Sequence, residues 1–433
     1  MMENVDRLAA MFPSSSRNAV LSWLLVGVLA LIAIGGGWLE AYASVLFAVV
    51  AIVIATAPAV TFRDLTVMPP WYFLFLIALP VLWEAFGPQP LVTGIVPALA
   101  MGTLGLLAVV ELHRFTSLRL VPWFSVVLTV VLTLAMIGLL NVLWWSSDTL
   151  FGTTFLLDGR SQDAINAAVM IEFSYAVVAG LLAGLVVYAH FRFSDETVGS
   201  RTGTAPSPEP DAEAARSVDP VVLSDRLGIP TDRQHALVRA MQLVLVGILF
   251  YGLLVRDLPV ITNAALALVI TFVPAMLRQN YALPIEPGLA LWVASAVFLH
   301  TLGTVALYDA IAPYDHLTHT LSASVVAAGG YAVLRAIQLH ERSIHFPPWA
   351  MFSFLLVFIL AIGVIWEILE FVADQSALAL GLDPVLAQHG IDDTIVDMIF
   401  NVFGAILVAA WGTLYLVELS EGLADLLEER LET

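Results

Sequence analysis

Long apolar stretches run through this chain, and short polar segments separate them. A helix needs about 20 apolar residues to cross a hydrocarbon core of roughly 30 Å. Stretches of about this length lie at 19–36, 41–61, 71–86, 91–111, 122–144, 168–192, 237–255, 258–277, 289–308, 318–337, 350–371 and 395–418. The pattern predicts an all-α, polytopic integral membrane bundle of about twelve transmembrane helices.

One long polar segment, 193–236, interrupts the apolar pattern near its middle. The segment is acidic and rich in proline and serine, so it cannot bury a core and is predicted to be a flexible cytoplasmic linker. It separates a predicted six-helix domain, 1–192, from a second one, 237–433, which ends in a short acidic tail.

The two predicted domains resemble each other in sequence. A Pro-Trp pair opens a long apolar stretch at 122–123 and again at 348–349, an offset of 226 residues. At this offset Asn141 corresponds to Glu367, Trp144 to Glu370 and Asp148 to Asp374. These matches predict two parallel six-helix repeats with the same orientation in the membrane. Most ionisable residues of the second half are missing from the first, which is therefore interpreted as a degenerate scaffold.

The distribution of arginine predicts the orientation of the helices. All 17 basic residues are arginine, and only Arg160 and Arg256 fall outside the amino terminus, the even-numbered loops and the carboxyl terminus. Loops rich in basic residues stay in the cytoplasm. The sequence therefore predicts a multi-pass protein of the cell membrane with both termini cytoplasmic.

Composition excludes several classes of function. With 36 acidic residues and a net charge of −19, the chain is not expected to bind nucleic acid, because little in it would neutralise phosphates. The absence of cysteine excludes disulfides and thiolate metal ligands. A lysine-free, strongly acidic chain also fits a halophilic source, where salt screens charge repulsion.

Ionisable residues collect in three stretches of the second half. They are Tyr314, Asp315, His316 and His319 at the start of the tenth span, Glu367 and Glu370 near the end of the eleventh, and Asp393, Asp397 and Asn401 at the start of the twelfth. Asp315 and His319 share a helix face, whereas His316 is expected to point elsewhere. The predicted orientation places all three stretches at the outer leaflet, so they should converge.

These residues suggest a site for a divalent cation. A carboxylate inside a span costs on the order of 3 kcal/mol and needs a partner. A cluster with more acids than histidines requires that some acids are protonated or that a cation lies among them. Oxygen and imidazole ligands suit Mn²⁺, Zn²⁺, Mg²⁺ or Fe²⁺. The predicted ligands are Asp315, His319, Glu367, Glu370, Asp393 and Asp397, of which Asp393, Asp397 and Glu367 are also catalytic candidates; His316, Asn401 and Tyr314 would support them.

A second interpretation of some of these acids needs no ligand. Glu370, Asp374 and Asp392 stand near the predicted ends of spans, where a solvated carboxylate is ordinary. Under this interpretation His316 is a loop histidine rather than a ligand.

Two motifs resemble those of VanZ-like membrane proteins. Asp315-x-x-x-His319 resembles their D-x-x-x-H motif, and the segment 397–404 resembles their terminal D-x-x-x-N-x-x-G. The segments 366–370 and 393–397 are closer to the related, uncharacterised YjdF-type proteins, and the resemblance covers about 240–418. It implies a site but no reaction. VanZ-like members are linked to resistance against lipid-anchored glycopeptide antibiotics, which implies chemistry at the cell envelope.

Three functions remain open from the sequence. The first is a cation-dependent enzyme that acts on a lipid or a lipid-linked envelope substrate. The second is a proton- or cation-coupled transporter that exposes the same carboxylates alternately to the two sides. The third is a structural envelope protein in which the polar cluster only joins three helices.

Overall fold

The computed structural model describes residues 16–38, 42–86, 95–115, 121–195, 228–311, 313–340, 344, 346–382, 384 and 388–431. Within these ranges every regular element is helical. In chain order the helices are α1 (Ser16–Trp38), α2 (Tyr42–Phe62), α3 (Trp71–Phe86), α4 (Ile95–Phe115), α5 (Pro122–Phe151), α6 (Gln162–Asp195), α7 (Thr231–Val255), α8 (Leu258–Tyr281), α9 (Pro287–Leu302), α10 (Tyr314–His340), α11 (Pro348–Ala379), α12 (Ile391–Tyr415) and α13 (Val417–Leu431).

The helices agree with the apolar pattern of the sequence. In the described part of the chain, nine of them, α1 and α5 to α12, are long and apolar enough to cross a membrane. The other three predicted stretches also form helices, α2, α3 and α4, of 21, 16 and 21 residues. The all-α membrane fold is therefore confirmed, while the crossing of the membrane by α2, α3 and α4 stays a prediction.

Proline and a side-chain cap mark several helix starts. Pro122, Pro287 and Pro348 lie in the first turns of α5, α9 and α11, where a missing N–H breaks no helical hydrogen bond. At the start of α8 the carboxylate of Asp257 accepts a hydrogen bond from the backbone N–H of Val260, at 3.0 Å. These residues explain why the long apolar stretches break into separate helices.

The two halves of the chain share a core through α5. Phe124, near the start of α5, contacts Phe354 near the start of α11, with ring centroids 6.4 Å apart. Further along, Gly138 of α5 lies against Val364 of α11 and Met398 of α12. Because contacts progress in the same direction along both helices, α5 and α11 run parallel to each other.

The helices pair in the same order within each half. The first, second and third helices contact one another, the third contacts the fourth, and the fourth, fifth and sixth contact one another. A duplicated six-helix unit requires this pairing, and the duplication itself stays a prediction. The division into domains is also untested, because most of the proposed linker lies outside the described residues.

Glycine allows a close approach of α10 and α12. A Cβ at Gly404 of α12 would collide with the backbone carbonyl oxygen of Thr320 and would lie 2.8 Å from the backbone nitrogen of Ser324 on α10. Backbone atoms inside a helix cannot move aside as a flexible side chain can. The absence of a side chain at position 404 therefore lets α10 and α12 pack closely at this level.

We expect Gly404→Ala to lower the free energy of unfolding by about 1–3 kcal/mol, the usual range for overpacking. The control is Gly329→Ala on α10, where an added Cβ meets nothing within 4 Å. There, alanine should be neutral or slightly stabilising, because it has the higher helix propensity. Thermal unfolding of the detergent-purified proteins measures both, and equal stability of the two variants would contradict the packing argument.

Candidate functional site

Three helices meet at the polar cluster. Asp315 is the second residue of α10, Asp393 and Asp397 lie in the first two turns of α12, and Glu367 lies on α11. All three helices pack against one another. The side chains influence one another electrostatically, Asp397 with Asp315, Asp393 and Glu367. The structure thus brings the three predicted stretches into one cluster.

His319 lies between two carboxylates. Its Nε2 atom is 3.6 Å from Oδ1 of Asp315 and 3.5 Å from Oδ2 of Asp397. Asn401 lies within hydrogen-bonding reach of the same imidazole. The exposed fraction of the side chains falls from 26% for Asp315 through 13% for His319 to 6% for Asp397. The cluster therefore extends from an accessible mouth to a buried floor.

His316 belongs to the cluster, which corrects the expectation that it points elsewhere. One ligand atom each of Asp315, His316 and Asp397 lie within 4.8 Å of one another. The imidazole of His316 also stacks on the ring of Phe400 from α12, with centroids 4.2 Å apart and planes at 4°. Asp315 and His316 are consecutive, so their side chains leave α10 about 100° apart. Both side chains nevertheless reach α12, because the two helices lie close together.

Glu367 is held by one of its two oxygen atoms. The residue is fully buried. Its Oε2 atom accepts hydrogen bonds from Nε2 of Gln388, at 2.8 Å, and from the hydroxyl of Thr394, at 3.1 Å. Asp393, an electrostatic neighbour of Glu367, is more exposed and accepts a hydrogen bond from the backbone N–H of His389, at 3.0 Å.

Three buried polar atoms of the cluster have no hydrogen-bond partner among the described residues. They are Oε1 of Glu367, Oδ1 of Asp397 and Nδ1 of His316. Buried polar atoms are nearly always satisfied, so unpaired ones need an explanation such as an ion or a water molecule. Carboxylate oxygens and imidazole nitrogens are ligands that Mn²⁺, Zn²⁺ and Fe²⁺ accept. Among the described residues, the acids and histidines with ligand atoms close enough together for one ion are Asp315, His316 and Asp397, and Glu367 lies outside this group.

Glu370 and Asp374 are buried, which excludes the interpretation as solvated helix ends. Their exposed fractions are 8% and 6%. Helix α11 continues to Ala379, beyond the predicted end at 371, and the backbone N–H of Gln388 donates to Asp374 at 3.0 Å. Glu370 interacts electrostatically with Glu367 and lies beside the cluster. Asp374 instead anchors the segment that follows the helix.

Asp392 is exposed, as a helix end would be, but its carboxylate is not left to solvent. It accepts hydrogen bonds from the indole N–H of Trp145, at 2.6 Å, and from the amide of Gln162, at 3.0 Å. Both donors belong to the first half of the chain. This acid therefore joins the two halves rather than contributing to the cluster.

A turn of π-helix, Gly303–Leu307, follows α9 and places a tyrosine beside the cluster. The Tyr308 hydroxyl lies 2.7 Å from Nδ1 of His300 and 3.2 Å from the hydroxyl of Thr318. Tyr308 was not identified from the sequence, because a single inserted residue in a helix leaves no periodic signal. Tyr314, a predicted supporting residue, donates to the carbonyl oxygen of Leu299, at 2.9 Å, and so ties α10 to α9.

Comparisons with known proteins give a family for the second half but no activity. Residues 236–418 match the family described as "Predicted membrane protein (DUF2238)", and residues 6–68 match "Domain of unknown function (DUF8268)". The half that carries the cluster is therefore similar to an uncharacterised family of membrane proteins.

One curated relative and the solved structures complete the comparison. An uncharacterized protein of Thermotoga maritima (strain ATCC 43589 / DSM 3109 / JCM 10099 / NBRC 100826 / MSB8) is 30% identical over 123 residues. The match covers 28% of this chain and 58% of that protein. No solved structure matches the chain.

We expect Asp374→Asn to destabilise the segment that follows α11. The substitution replaces a charged acceptor of a buried backbone N–H with a neutral amide oxygen, and the weaker hydrogen bond should lower the free energy of unfolding by about 1 kcal/mol. Limited proteolysis between 380 and 390, with thermal unfolding alongside, measures the effect. Asp158→Asn, in an exposed ion pair with Arg160, is the control and should change little. If Asp374→Asn is cleaved at the same rate as the wild type, the hydrogen bond between Asp374 and Gln388 does not stabilise this segment.

Proposed function

We propose that this membrane protein is a divalent-cation-dependent enzyme that hydrolyses a phosphoryl group of a lipid-linked substrate. The observation that carries the proposal is the set of unpaired buried atoms on Glu367, Asp397 and His316 within one cluster of carboxylates and imidazoles. In a hydrocarbon environment such atoms are expensive unless a ligand meets them. A cluster that only joined helices would gain nothing from leaving them unpaired.

The cation would be held by residues of α10 and α12. Asp315, His316 and Asp397 have ligand atoms near enough to one another to close around one ion. His319, which lies between the two carboxylates, would fix their orientation. We assign Glu367 to the position beside the ion, and Glu370 and Asp393 to its surroundings. Mn²⁺, Zn²⁺, Mg²⁺ and Fe²⁺ all accept such ligands.

A bound divalent cation supplies Lewis acidity, which polarises a phosphoryl oxygen and favours loss of a proton from water. Oε1 of Glu367 is free to accept that proton as the oxygen of water bonds to phosphorus. The bond between phosphorus and the lipid-side oxygen breaks, and the departing oxygen takes up a proton. Asp393, the most exposed of the cluster's acids, would orient the water molecule that supplies this proton at the exposed side of the cluster.

Two features favour an enzyme over a transporter. The cluster lies in the first turns of α10 and α12, at one end of the bundle, where a lipid headgroup can reach it. Transporter sites usually lie near the midplane of the membrane. Below the cluster, the backbone contact of Gly404 with Thr320 and Ser324 closes the space between α10 and α12. Both features support a site that is reached from one side of the membrane.

The substrate would belong to the cell envelope. The asymmetry of the arginines favours cytoplasmic termini, which puts the cluster at the outer leaflet of the cell membrane. The resemblance to VanZ-like proteins, which are linked to the cell envelope, implies the same compartment. The acidic, lysine-free composition supports a halophilic source, in which the envelope substrate would face high salt.

We expect Mn²⁺ to raise the unfolding temperature of the detergent-purified protein. A ligand that binds only the folded state at 100 times its Kd stabilises it by about 2.7 kcal/mol. Asp397→Asn should remove most of this response, since it replaces a predicted ligand without changing its shape. Asp257→Asn makes the same chemical change at the cap of α8 and should keep the response, because asparagine caps helices equally well. A wild-type protein indifferent to Mn²⁺, Zn²⁺ and Mg²⁺ would refute the cation site.

We expect cation-dependent release of inorganic phosphate from a lipid phosphate presented in mixed micelles. Glu367→Gln should lower the rate by about 100-fold or more, the usual contribution of a general base. Gln242→Ala, which removes a hydrogen bond to Thr271 between α7 and α8, should keep the wild-type rate. Cation binding without turnover, together with cation uptake by proteoliposomes, would favour the transporter instead.

A further inference from the structure

We infer that Asn166, on α6 in the first half of the chain, is a positioning residue for Glu367 in the second half. The inference rests on the proposed function, because it concerns how the cation site is held in shape. It also gives the first half, which the sequence predicts to be scaffold, a defined part in the site.

An amide relay connects Asn166 to Glu367. Nδ2 of Asn166 donates to Oε1 of Gln388, at 2.7 Å, and Nε2 of Gln388 donates to Oε2 of Glu367, at 2.8 Å. Hydrogen bonds in such a chain polarise and strengthen one another. Asn166 is 4% exposed and Glu367 fully buried, so water competes little for these bonds.

Asn166 reinforces the orientation of the Gln388 amide in which the nitrogen end faces Glu367. The oxygen and nitrogen ends of a glutamine side chain have nearly the same shape, so a half-turn of the amide costs little unless its partners distinguish them. With the Asn166 amide donating to it, Oε1 of Gln388 stays on the first-half side and Nε2 faces the carboxylate. After a half-turn, an amide oxygen would face a carboxylate oxygen, which is repulsive.

The first half of the chain binds the segment around Gln388 at a second position. Gln162 of α6 donates to the carboxylate of Asp392 and accepts from its backbone N–H, both at 3.0 Å. Gly390 has φ of +89° and passes so close to Gln162 that an added Cβ would lie 2.7 Å from that side chain. Residues 388–394 therefore take their position from α6.

Thr394 adds a hydroxyl that both halves share. Its Oγ1 lies 3.1 Å from Oδ1 of Asn166 and 3.1 Å from Oε2 of Glu367. One hydroxyl hydrogen serves one acceptor at a time, so Asn166 also controls how much of it Glu367 receives. The hydrogen bonds from Gln388 and Thr394 both act on Oε2 of Glu367, and Oε1 has no hydrogen-bond partner among the described residues.

The test is the affinity of the full-length protein for Mn²⁺. Asn166→Ala should weaken binding about tenfold, the lower end of what loss of a supporting hydrogen bond does to a metal site. Gln242→Ala removes a comparable amide hydrogen bond between two helices remote from the cluster, and should lower stability without changing the affinity. Should Asn166→Ala fail to fold, Asn166→Leu keeps the side-chain volume and loses the same bonds.

A double-mutant cycle separates positioning from general destabilisation. If Asn166 acts through Gln388, the affinity of the Asn166→Ala/Gln388→Ala double variant should equal that of Gln388→Ala alone, which is clear non-additivity. Additive losses would overturn the relay, and wild-type affinity in Asn166→Ala would overturn the inference while the proposed function stands. Absence of Mn²⁺ binding by the wild type would instead overturn the proposed function.

Discussion

Carboxyl groups inside membrane-spanning helices are the constraint on which the second half of the structure depends. Glu367 and Asp397 are buried, and each would cost on the order of 3 kcal/mol in a span without compensation. The protein supplies fixed donors to one oxygen of Glu367 and places His319 beside one oxygen of Asp397. One oxygen of each residue has no hydrogen-bond partner among the described residues. We expect the cation near the unpaired oxygen of Asp397, because the ligand atoms of Asp315, His316 and Asp397 lie close together.

The packing of the surrounding helices follows from this arrangement. The donors for Glu367 come from outside α11, since Gln388 and Thr394 both donate to its Oε2 atom. Asp374 holds Gln388 in place by accepting its backbone N–H. Close contact at Gly404 then draws α10 to α12, so that Asp315 and Asp397 share His319. Local backbone contacts thus determine the spacing of the site.

The sequence predicts the elements and the place of the cluster, but not its internal geometry. Apolar stretches locate the helices, and the arginines place the starts of α10 and α12 and the end of α11 at one face. The orientation of His316 depends on how closely α12 approaches α10, and the position of Tyr308 depends on a π-turn. Both are tertiary effects that helical periodicity does not encode. The burial of Asp374 is likewise not encoded in helical periodicity, since its carboxylate contacts Gln388, which lies outside α11.

A comparison within the chain separates structural acids from those of the site. Asp148 and Asp374 stand at the offset of 226 residues and do the same work, because each accepts backbone N–H groups from the segment after its helix. At that offset Glu367 corresponds to Asn141, a neutral amide on the parallel helix α5. Near its carboxyl end, each of α5 and α11 thus carries an aspartate that binds the following segment. About two helical turns before that aspartate, α11 has a carboxylate and α5 has none. Asn141 donates to the carbonyl oxygen of Ile137 in its own helix, at 3.0 Å, whereas Glu367 accepts from Gln388 and Thr394 outside α11. This difference supports a role for the Glu367 carboxylate in function rather than in the packing that the two helices share.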